Sequence, residues 1–145
     1  MFHLGDFCFQ KASHWKEIRN QLNGHIILIV GNHDYKQLTQ GVAQLFDFVT
    51  PQMRITIGNR VVYLNHFPFL CFAHGDPSLY SANNIAYQLF GHVHSHQGYT
   101  GSDANRLPLL YPNQYDVGVD NNDYKPIAWS NIDNLIRSKL NGSSS

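Results

Sequence analysis

Four short polar clusters stand out along the chain: Gly5-Asp6, Gly31-Asn32-His33-Asp34, His66-Phe67-Pro68 and Gly91-His92-Val93-His94. Each follows a stretch that reads as a strand. Together they offer the carboxylate of Asp6, the amide oxygen of Asn32 and the imidazoles of His66, His92 and His94. A mixed nitrogen and oxygen donor set of this kind suits Mn, Fe, Ni or Zn better than Ca or Mg. In α/β sheets, ligands gather beyond the carboxyl ends of the strands, where a rigid scaffold holds several side chains to one point. A glycine ahead of a ligand permits a sharp turn and close backbone approach.

Each cluster also has a plainer reading. Asp6 can cap a loop, Asn32-His33 can form a turn, and His66 can be a buried histidine ahead of a proline. His92 and His94 can be two exposed residues on one face of a strand. Recurrence of the pattern after several strands favours a shared cation. His3, His14, His25, His74 and His96 lack that setting and are expected at surface or core positions. His3 stands three residues before Asp6, so an extended backbone would send the two side chains to opposite faces.

The order Gly-Asp, Gly-Asn-His-Asp, His-x-Pro, Gly-His-x-His resembles the signature of the calcineurin-like metallophosphoesterases. The match runs from Leu4 to His94, with weaker similarity from Asp116-Val117-Gly118-Val119-Asp120 to Pro126. Gly-Asn-His-Asp and Gly-His-Val-His in this order are specific, whereas either alone is weak. The resemblance implies metal-dependent hydrolysis of small phosphomonoesters or phosphodiesters, nucleotides among them. It implies that Asp6 bridges two metals, that Asn32, His66 and His92 complete the second metal's ligands, and that His94 binds the first. It implies that His33 is the catalytic histidine, directed at the phosphate and its leaving oxygen, and that Asp34 orients His33 through a hydrogen bond. Two metals can hold a phosphoryl group and activate its nucleophile.

The family's opening Asp-x-His has no counterpart before Asp6, and Phe9 stands where the pattern often carries aspartate. One metal site is therefore expected complete and the other partial, with impaired activity. The alternative is a catalytically inactive metal- or phosphate-binding module of the same fold. The resemblance also implies a first strand that this sequence lacks. Its absence would leave an open apolar sheet edge, expected to pair with a second copy or with a separate N-terminal chain.

The elements that must position these residues follow from pattern. The fold class expected is α/β, a layered β-sandwich flanked by helices with its first strand missing. Residues 13–22 read as a helix with Ser13 as N-cap, and residues 25–30 as a strand buried on both faces. A second helix is expected over 38–46, weakened by Gly41, and a hairpin over 54–57 and 61–65 around Gly58-Asn59. Residues 78–88 read as a helix, 89–90 and 117–119 as short strands, and 98–115 as a long loop. A last helix over 130–140 is expected to open with a Ser130/Asp133 capping box.

At 145 residues the chain can bury one core, so residues 1–140 are read as a single domain and 141–145 as a disordered tail. Lysine plus arginine equals aspartate plus glutamate at 10 each, which leaves no basic footprint for long nucleic acid. A small phosphorylated substrate remains compatible, because a bound metal supplies positive charge. No signal-peptide pattern and no apolar run of about 20 residues occurs, so no membrane association and a cytoplasmic location are expected. Cys8 and Cys71 are read as free buried thiols in a reducing compartment.

Overall fold

The computed structural model of the chain describes residues 1–95 and 104–142, the latter stretch with side chains from 107 onward. These form a mixed α/β domain with two sheets and three α-helices. Strands β1 (Phe2–His3), β2 (Ile27–Ile29) and β3 (Phe48–Thr50) make a parallel sheet in that order. Strands β4 (Gln52–Ile57), β5 (Arg60–Asn65), β6 (Tyr87–Phe90) and β7 (Gln114–Asp116) make the second. There β4 and β5 form the expected hairpin, and β5, β6 and β7 run parallel. The helices are α1 (Ala12–Gln21), α2 (Tyr35–Leu38) and α3 (Trp129–Gly142).

The period of two splits the β2 segment between two cores. Ile26 and Leu28 pack with Cys8, Trp15, Val42 and Phe46 beneath α1. Ile29 joins Leu4, Val62, Leu64, Tyr87 and Leu89 with Ile132 and Ile136 of α3. The second core thus draws on both sheets and α3, and β2 is covered on both faces as its unbroken apolar run requires. All four residues of β6 are buried. Its Gln88 accepts from Phe69 N at 3.0 Å and Gln114 Nε2 at 2.6 Å, and donates to the Phe67 carbonyl at 2.9 Å. That network ties the segment after His66 to the strand leading to His92.

Several elements differ from the sequence expectation. Ser13 lies inside the first turn of α1 and caps nothing; the N-cap is Lys11. The expected helix over 38–46 is divided into α2 and a 3₁₀ turn, Val42–Leu45, because Gly41 takes φ 81°. No helix forms over 78–88: Asp76 accepts from both Ser78 N and Ser78 Oγ in a turn, and Tyr87 and Gln88 already belong to β6. The strand expected at 117–119 lies earlier, as β7, and Val119 opens a 3₁₀ turn. The Ser130/Asp133 box is replaced by other partners: the Asp133 carboxylate accepts from Tyr87 Oη and Arg137 Nε. Helix α3 continues to Gly142, so the expected tail loses its first two residues, and 143–145 lie outside the described residues. Of the loop expected over 98–115, Ala104–Leu109 forms a 3₁₀ turn; residues 96–103, His96 and Tyr99 among them, lie outside the described residues. Cys8 is buried but Cys71 is exposed.

No helix among the described residues is long and apolar enough to cross a membrane. Strand β1 is an edge of its sheet, with Phe2 38 % exposed. Beside it opens a cavity of about 660 Å³, walled by apolar side chains that include Ile55, Ile57, Leu64, Leu89, Val117 and Trp129.

Candidate metal centre

Strands β1, β2, β5 and β6 run out at their carboxyl ends into Asp6, Asn32, His66 and His92. Ligand atoms of Asp6, His66 and His92 lie within 4.8 Å of one another. His66 Nε2 is 3.0 Å from Asn32 Oδ1 and 3.4 Å from Asp6 Oδ2. The other ring nitrogen, Nδ1, is 2.7 Å from the Leu4 carbonyl. That carbonyl can only accept, which assigns the proton to Nδ1. In the neutral ring the lone pair of Nε2 then faces two oxygen acceptors. Lone pairs gathered in this way repel one another, and a cation among them turns the repulsion into ligation. A ligating histidine whose second nitrogen donates to a backbone carbonyl is the usual arrangement at such centres. The donor set fits a divalent transition metal.

Local backbone geometry brings these groups together. Gly5 has φ 94°, and a Cβ there would stand 2.5 Å from His66 Nδ1 and 2.6 Å from Gly31 Cα. Glycine lets β1 end flush against both neighbours. Asp6, His92 and His94 take φ 55°, 67° and 48°, half of the six described non-glycine residues with positive φ. Such conformations cost roughly 1–3 kcal/mol each and persist where the surroundings enforce them. They also undo an expectation based on extended backbone, that His3 and Asp6 face opposite ways, and they set where His94 lies. His94 does not join the Asp6–His66–His92 cluster: its half-exposed ring places Nδ1 2.7 Å from Asp120 Oδ2. His3 is not on the face opposite Asp6 but shares the wall of the same cavity. Burial, and then the His66 ring, push the His3 imidazole down to about 4, so it is neutral at physiological pH.

Asp34 plays a different part from the one expected. Its carboxylate does not engage the His33 ring. It accepts instead from Gly31 N at 2.8 Å, Asp6 N at 2.9 Å and Phe7 N at 2.9 Å. The residue is completely buried and clamps the loop after β1 onto the loop after β2. Burial pushes its carboxyl above the ordinary range, against the pull of those three donors. His33 donates its backbone N–H to Asp6 Oδ1 at 2.9 Å, while its exposed ring meets Phe9 edge-on, centroids 4.9 Å apart. His33 therefore stands next to the donor cluster without joining it.

Two carboxylates escaped assignment from sequence. Asp116 is buried and accepts from Ser95 N at 2.9 Å and Gly118 N at 2.8 Å, fixing the loop that carries His94. Asp120 holds His94 directly. The stretch Asp116–Asp120 was the signal, since it already carried weak similarity; its pairing with His94 depended on the fold.

The chain matches no described protein family and no curated protein. Among solved structures it is similar to a protein of unknown function from Aquifex aeolicus, with a TM-score of 0.61 and 26 % identity. The similarity covers 92 % of this chain and 74 % of that one. That protein has the same general fold, and its description assigns no activity.

Proposed function

We propose that the chain is a metal-dependent phosphoesterase acting on small phosphomonoesters or phosphodiesters, of metallophosphoesterase-like architecture and with reduced activity. The observation that carries this reading is the convergence of Asp6, Asn32, His66 and His92, with His66 Nε2 turned toward two oxygens. These four residues hold one divalent metal, Mn, Fe, Ni or Zn. Asp6 and His94 are left as a partial second site. A metal bound there neutralises charge on a phosphoryl group and lowers the pKa of water.

The chain's own residues do the rest. Asp34 holds the Asp6 and Gly31 loops at fixed separation. The His33 N–H occupies Asp6 Oδ1, which leaves Oδ2 facing His66. The exposed His33 ring is placed to donate a proton to the leaving oxygen of an ester held at the centre. The domain works in a reducing, cytoplasmic setting, in keeping with its two free cysteines. The competing reading, an inactive metal- or phosphate-binding module, draws on the exposed second site at His94.

Hydrolysis of a generic phosphodiester by the chelator-treated and Mn-reloaded chain separates the two. Metal-dependent turnover that His33→Ala abolishes, with metal content unchanged, is the expected result. No turnover with any of the four metals would favour the binding module.

A further inference from the structure

Two phenylalanines next to the centre are exposed although burial is what stabilises such rings. Phe9 is 70 % exposed and Phe67 is 42 % exposed. Phe9 lies against the His33 ring at 4.9 Å between centroids, and Phe67 against His92 at 4.6 Å and His66 at 4.9 Å. Both are mounted on anchored backbone. Phe67 N donates to Asn65 Oδ1 at 2.8 Å, and its carbonyl accepts from Gln88 Nε2 at 2.9 Å. Phe9 follows buried Cys8, whose carbonyl accepts from Trp15 Nε1 at 3.0 Å. Rigid, water-exposed rings touching the imidazoles of a polar centre form an apolar surface for a flat ligand group.

The charge around the centre narrows the class further. Among the described residues lining the adjoining cavity there is no lysine or arginine; the ionisable ones are His3, His66, His92 and His94 with Asp6, Asp116 and Asp120. Among these described residues a substrate with several phosphates would meet no lysine or arginine, whereas a single phosphoryl group needs none.

We infer that the preferred substrates carry one phosphoryl group on an aromatic leaving group, an aryl or nucleobase-bearing ester, with Phe9 and Phe67 as specificity-determining residues. This rests on the phosphoesterase reading and deepens it. Each ring lies against an imidazole at the centre, Phe9 on His33 and Phe67 on His66 and His92, beside an ester whose phosphoryl group would sit at Asp6, Asn32, His66 and His92.

The test is calorimetric titration of the Zn-loaded chain, at pH 8, with phenylphosphonate and methylphosphonate, which share a head group and are not hydrolysed. Phenylphosphonate is expected to bind about tenfold tighter, the lower part of the range for stacking on one aromatic side chain. The ratio should fall to about twofold or less in Phe9→Leu/Phe67→Leu, which keeps apolar bulk but removes the rings, with zinc content unchanged. Single variants are titrated as well, so that a poorly folded double variant leaves the comparison intact. Equal affinities in the parent chain, or a ratio that survives loss of the rings, would overturn this inference and leave the phosphoesterase reading standing. Failure of the Zn-loaded chain to bind either phosphonate would overturn both.

Discussion

Replacing Asp34 by alanine removes the common acceptor of three backbone donors, the N–H groups of Gly31, Asp6 and Phe7, at 2.8, 2.9 and 2.9 Å. Bonds from neutral donors to a charged acceptor are worth about 1.5–3 kcal/mol each, and unpaired buried donors add a further cost. Removing the buried carboxylate relieves its own desolvation, which is what pushes its pKa up. We expect a net loss of about 3–5 kcal/mol, the range for breaking a buried charged contact from one side. That is a large share of the roughly 5–15 kcal/mol that holds a domain folded. Because Asp6 rides on the clamped loop, metal affinity should fall with stability. Urea denaturation and metal titration of Asp34→Ala and Asp34→Asn measure both. The asparagine variant, which keeps an acceptor oxygen, should fall between alanine and the parent. If Asp34→Asn lost activity while stability and metal affinity stayed at parental values, the clamp would be refuted and a role in orienting His33 restored.

His92→Ala should lose metal at least tenfold more readily than the parent, and His94→Ala by much less, since His94 lies outside the donor cluster; competition with a chromogenic chelator ranks them. Burial, then the bond to Asp133, push the Tyr87 hydroxyl up to about 12. The folded state therefore keeps a proton that the unfolded chain releases near pH 10, so this contribution is complete below about pH 10 and disappears by about pH 12. Denaturation at pH 9 and pH 11 should show stability falling, less steeply in Tyr87→Phe; an identical pH slope in that variant would contradict the assignment. Strand β1 presents an open edge beside an apolar cavity, so self-association through that edge is expected in sedimentation at rising concentration, weakened by Phe2→Lys. A monomer at every concentration would rule it out.

The grouping of Asp6, Asn32, His66 and His92 was legible because each follows a strand, and strand ends dictate where side chains fall. Buried β2 announced itself as an unbroken apolar run, and the β4–β5 hairpin by its Gly58-Asn59 turn. What stayed hidden depended on partners distant in sequence. Asp34 looked like a helper of its neighbour, but its acceptors' partners include Asp6 N, 28 residues away. Asp120 meets His94 across 26 residues. His3 was misplaced by assuming extended backbone through Gly5 and Asp6, both left-handed. The segment over 78–88 is poor in strong helix formers, with Asn83-Asn84 at its centre, and burial of Tyr87 and Gln88 in β6 decides against a helix.

Elemental analysis of the chain purified without chelators bears most directly on the central claim that Asp6, Asn32, His66 and His92 hold a metal. The account predicts about one divalent transition metal per chain, and close to none in His66→Ala of parental fold. A parent chain that takes up no Mn, Fe, Ni or Zn on dialysis, or a His66→Ala chain with undiminished metal, would contradict it.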